Sequence, residues 1–125
     1  MTALPQSVSE AWEHRQGPIV FGTVGTDGTP NLVYMTCVQR TGEDRLVLVD
    51  NFFHKTRANI AAGSPGALVF ITDEGKSYQI KGSLEYLTQG PVYEDMKRWN
   101  SERLPGVAAV VLHIEQVFSG AERLA

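Results

Sequence analysis

Cysteine is almost absent from this chain. Cys37 stands alone among 125 residues, so no internal disulfide can form. A lone thiol is what a reducing cytoplasm tolerates, and the cytoplasm is the expected location. Basic runs are missing, and the net charge is −3. That excludes the basic stripe that nucleic-acid binding needs. No apolar run approaches the roughly 20 residues of a membrane-spanning helix. Residues 1–6 carry neither a basic cluster nor an apolar core, so no secretory leader is expected. No second His or Cys lies at metal-ligand spacing from His54, and His14 and His113 are isolated. There is no Gly-rich dinucleotide fingerprint. No nucleophile–base set can be assembled from the Ser, Cys, His and Asp residues, so any chemistry would belong to a cofactor.

What is present is a globular composition, 42% hydrophobic, in a length suited to one domain spanning 1–125. Ser7 and Glu10 have the spacing of a capping box, which predicts a short helix running to about Gln16. Strands are predicted over 19–24, 31–39, 45–50, 67–72, 77–88 and 107–118. Asp27-Gly28 reads as a hairpin turn between the first two. The fourth strand is apolar enough to be buried on both faces. Gly82, inside the fifth, suggests a bulge. A helix opens at Pro91, with Glu94 and Asp95 in its first turn. Strands separated by turns and few helices predict a mainly β protein: a six-stranded antiparallel split β-barrel of Greek-key type with two or three short helices.

The most informative stretch is Asp50 to Asn59, D-N-F-F-H-K-T-R-A-N. A strand delivers the chain there to a helix over 57–62 that ends at Gly63. Lys55, Thr56 and the first helical amides meet at that corner. A helix start favours anions, and a lysine there is mismatched to the dipole by about 0.3–1 kcal/mol unless an anion binds. Read alone, Lys55 would be a solvated lysine, and Thr56 a local cap. His54 reads as structural. Arg57 reads equally well as a phosphate contact or as a solvated arginine.

With these residues in view, the chain resembles a known family. H-K-T-x-x-N at 54–59, P-N-L-V-Y-M-T at 30–36, I-K-G-S at 80–83 and A-A-V-V-L-H-I at 108–114 resemble the FMN-binding split barrels related to pyridoxamine 5′-phosphate oxidase. Among these, the small dimeric FMN-binding proteins are the most similar. The resemblance implies FMN as cofactor, a homodimer, and electron transfer or a small flavin-dependent oxidoreductase activity. It leaves open a carrier or sensor without turnover, and a deazaflavin or haem ligand. Lys55 and Thr56 match the phosphate contacts of the family. Val33, Tyr34, Met35 and Thr36 match the segment along the ribityl chain and ring. Asp50, Asn51 and Phe52 match the turn passing the ring edge. Gln79 and Lys81 match a strand that reaches the flavin in larger relatives. Residues near Leu104 would approach a flavin, some from the partner chain. The sequence departs from the small proteins at Asn51-Phe52, where they carry two glycines, and at Tyr34-Met35-Thr36, where they carry Asn-Thr-Trp. The C-terminal substrate-binding residues of the larger oxidases have no counterpart here, so oxidation of pyridoxamine phosphate is not expected.

Overall fold

The computed structural model describes residues 2–125. Its elements are α1 (Gln6–Glu13), β1 (Ile19–Val24), β2 (Pro30–Met35), β3 (Val38–Thr41), β4 (Arg45–Asp50), α2 (Lys55–Ala61), β5 (Gly66–Ile71), β6 (Ser77–Leu87), α3 (Pro91–Trp99), β7 (Ala108–Ser119) and β8 (Glu122–Arg123). The strands form one antiparallel sheet in the order β2-β1-β5-β6-β7-β4-β3, with β8 added beside β7. The two edge strands, β2 and β3, are consecutive in the chain. The sheet therefore curls until its ends nearly meet, which is the incompletely closed barrel expected.

The predicted strand over 31–39 divides at Thr36-Cys37. Its first half pairs with β1 as far as Ile19↔Met35. There β1 begins, directly after Gly17-Pro18, and has nothing further to offer. From Val38 onward the chain pairs with β4 instead, starting at Val38↔Leu48. Counting this bent segment once restores the six strands of the sequence reading. The tail adds β8, a two-residue return beyond Gly120, where φ is +57°.

Two other expectations are corrected. Ser7 does not cap α1: the helix starts at Gln6 behind Pro5 and has no side-chain cap, because proline already sets the entry angle. Nor is β5 covered on both faces. Leu68 and Phe70 are buried, whereas Val69 and Ile71 are 37% and 46% exposed. An antiparallel sheet packs one face on the core and leaves the other to solvent or to a partner.

The main core lies inside the curl. Phe21, Leu46, Leu48, Ile80, Leu112 and Ile114 are fully buried there, and α1 closes one end with Val8 and Trp12. Trp12 meets Phe70 edge-on at 5.1 Å. A second cluster on the outer side of β4 and β7 packs Val47, Val49 and Val111 beneath Met96 and Trp99 of α3.

Gly82 marks the bulge that the sequence predicted. The register with β7 shifts between Lys81 and Gly82, and a Cβ at Gly82 would strike the carbonyl of His113. Gly82→Ala is expected to destabilise the protein by about 2–3 kcal/mol, at the upper end of overpacking costs. Urea unfolding at constant m-value would measure it.

Candidate functional site

The gap where the sheet fails to close is a cavity of about 470 Å³. One wall is β2 together with the bend after it, from Asn31 to Cys37. The opposite wall is Val49 near the end of β4 and the turn beyond it, Asn51 to Thr56, and Leu104 closes the side. Asn31 to Thr36 spans five residue steps, about 17 Å of extended chain. The cavity is thus elongated and graded. Lys55, Thr56, His54 and Asn31 lie toward one end; Met35, Cys37 and Leu104 lie toward the other.

At the polar end, α2 begins with His54 as N-cap and no side-chain cap. Ala58 N is the first amide to find a helical carbonyl, that of His54 at 3.1 Å. The amides of Lys55, Thr56 and Arg57 precede it, as at any helix start. Lys55 is exposed and forms no ion pair among the described residues. Thr56 is buried, and its hydroxyl oxygen accepts from Asn31 Nδ2 at 2.9 Å. With its oxygen so engaged, the hydroxyl proton is left to donate. Asn31 Nδ2 also reaches Thr23 Oγ1 at 3.3 Å, and Asn59 Nδ2 donates to the same oxygen at 3.1 Å. This buried network ties α2 to β1 and β2.

Asp50 plays a different part from the one its position suggested. Its carboxylate is fully buried beneath the turn, outside the cavity wall. It accepts from Arg57 Nε at 2.7 Å and Arg57 Nη2 at 3.0 Å, from Tyr86 Oη at 2.6 Å, and from Phe53 N at 2.9 Å. Burial pushes the Asp50 carboxyl up, but the donors from Arg57, Tyr86 and Phe53 outweigh it and hold the group below its ordinary range. The Tyr86 phenol is pushed up by burial and by the neighbouring carboxylate. Arg57 is held firmly charged by its bonds to Asp50. Arg57 is therefore tied to Asp50, its side chain remains 42% exposed to solvent, and it does not line the cavity.

Of the residues singled out from sequence, Val33, Tyr34, Met35, Thr36, Asn51, Phe52, Lys55 and Thr56 line this one cavity. Asp50 supports it from below. Gln79 and Lys81 lie elsewhere in the chain, in a groove on the outer face of β1, β5 and β6. Asn31, Cys37, Val49 and Phe53 line the cavity without having been singled out. Strand alternation was the available signal for Asn31, which shares a face with Val33 and Met35.

The pattern that defines the pyridoxamine 5′-phosphate oxidase family matches residues 5–119. The chain belongs to that family. Over 110 residues it is 28% identical to MJ0282, an uncharacterized protein of Methanocaldococcus jannaschii, covering 83% of this chain and 74% of the relative. Among solved structures, HupZ of Group A Streptococcus superposes with a TM-score of 0.80 at 24% identity, covering 93% of each chain. An FMN-binding protein of Syntrophomonas wolfei gives 0.73 at 17%, covering 96% of each. HutZ, the haem storage protein of Vibrio cholerae, gives 0.70 at 17%, covering 94% of this chain and 95% of that one. At such identities the likeness is one of fold. It joins this oxidase-family chain to barrels whose named ligands differ.

Proposed function

We propose that the cavity binds FMN and that the protein is a homodimeric flavoprotein, serving electron transfer or a small flavin-dependent oxidoreduction. The carrying observation is the graded cavity along β2. A lysine that forms no ion pair among the described residues stands at one end, and a strip of Val33, Met35, Phe52 and Leu104 leads toward the other. Lys55 and the Thr56 hydroxyl would hold the phosphate. Val33 to Thr36 would flank the ribityl chain. Asn51 and Phe52 would border the ring. A bound flavin supplies the electron chemistry; the chain binds it, orients it and limits the access of water. An absorbance spectrum of the purified protein, followed by mass identification of the released ligand, tests the reading. A deazaflavin or a haem in that spectrum would replace it.

The dimer has its own support. Tyr34, Leu32 and Val69 are 78%, 70% and 37% exposed. Register aligns Tyr34, Val20, Val69 and Gln79 in one row across the sheet, and Leu32, Gly22, Ala67 and Lys81 in the next. They share the outward face of the sheet. A second copy over this face would cover the apolar residues. It would also give Gln79 and Lys81 a place near a partner's cavity. Light scattering should report twice the chain mass, and Leu32→Glu with Tyr34→Glu should halve it. A wild-type monomer with FMN bound would refute the dimer.

A further inference from the structure

A smaller cavity of about 250 Å³ adjoins the large one and shares Thr36, Cys37 and Leu104 with it. Those residues stand at the end remote from Lys55. We propose that this side cavity receives a small uncharged molecule bearing a carbonyl oxygen, seated beside the cofactor ring. The proposal names the substrate class of the site read above, and it rests on that reading.

The rest of the wall includes Gln39, Trp99 and Ser101, and no ionisable Lys, Arg, His, Asp or Glu side chain. Two of the basic groups close by in the chain make their hydrogen bonds away from this wall. Arg40 Nη1 donates to the Gly42 carbonyl at 3.3 Å, and Lys97 Nζ to the carbonyls of Pro105 and Gly106 at 3.1 and 3.3 Å. An ionised ligand would meet no counter-charge in the wall itself.

Hydrogen-bond donors are nonetheless available. Ser101 Oγ accepts from Arg103 N at 3.3 Å, which leaves its proton to donate. The Thr36 hydroxyl and the Gln39 amide add two more. Asn100 pairs reciprocally with Asn51 at 3.0 and 3.5 Å, which holds its amide in place. Trp99 offers a flat apolar side to a planar body. The volume falls below the roughly 300–1,000 Å³ of drug-sized pockets, so the molecule is small.

Benzamide and benzoate form a matched pair of probes, alike in shape and differing in charge. Each would be titrated into the protein with and without FMN while tryptophan emission is followed. Trp12 is 2% exposed and out of reach, so Trp99 carries the signal. Benzamide is expected to give a saturable change at least tenfold tighter than benzoate, and Trp99→Phe should abolish the change. Gln39→Ala should weaken benzamide several-fold, and Gln39→Arg should reverse the order of the two probes. Benzoate binding wild type as tightly as benzamide, no saturable change with either, or a change that survives in Trp99→Phe would each overturn the assignment. A protein that distinguishes the probes yet takes up no FMN would refute the cofactor reading and leave the uncharged-ligand site in place.

Discussion

Asp50→Ala is expected to lower stability by about 3 kcal/mol, near the low end for breaking a buried ion pair, and the melting temperature by on the order of 10 °C. The carboxylate is fully buried and joins three separate elements: Arg57 on α2, Tyr86 on β6 and the Phe53 amide in the turn. Removing it leaves the phenol and the amide without their acceptor. The Arg57 side chain is 42% exposed and regains water, which keeps the loss from being larger.

The same carboxylate sets an acid limit. Its folded-state pKa is depressed, because its hydrogen bonds outweigh the upward push of burial. Such a group contributes stability above its unfolded pKa of about 3.9 and loses that contribution as pH falls through the lower folded value. Wild type should therefore lose stability steeply below about pH 4. Asp50→Asn should start less stable at pH 7 and show a shallower acid dependence. Equal slopes in parallel denaturation series would show that Asp50 does not govern acid sensitivity.

Lys55→Ala should weaken FMN binding by roughly 10- to 150-fold, the equivalent of one charge-assisted hydrogen bond of about 1.5–3 kcal/mol. Riboflavin, which lacks the phosphate, should bind the variant and wild type alike. The side chain is exposed and forms no ion pair among the described residues, so folding should be untouched. Circular dichroism would check that. Unchanged FMN affinity would remove the phosphate from this corner, and equal losses for both ligands would assign Lys55 to the ring instead.

The corner was legible because its features are local: a strand, a cation, a helix start and a terminal glycine within fourteen residues. The Gly82 bulge was legible for the same reason. The break at Thr36-Cys37 was not, since no glycine or proline marks the tight turn in which Val38 N donates to the Thr36 carbonyl at 3.0 Å. Only the length of β1, a different strand, determines where the pairing changes. The role of Asp50 was hidden likewise. Arg57 is seven residues away and Tyr86 thirty-six, and nothing in the sequence links the three before the barrel brings them together. Gln79 and Lys81 show a further limit, since alternation along one strand does not say which groove of the curled sheet a residue will face.

β2 is an edge strand that ends beside the cavity instead of beside another strand. Its outward-turned peptide groups face a space where a neighbouring ladder would normally run. A molecule lying along it can use the main chain itself as a docking rail, in the manner of an added strand. Such a rail would depend little on which side chains flank it. It also makes the empty protein the vulnerable form: with nothing along the rail, the edge is open to another chain, and ligand-stripped samples should be the first to self-associate.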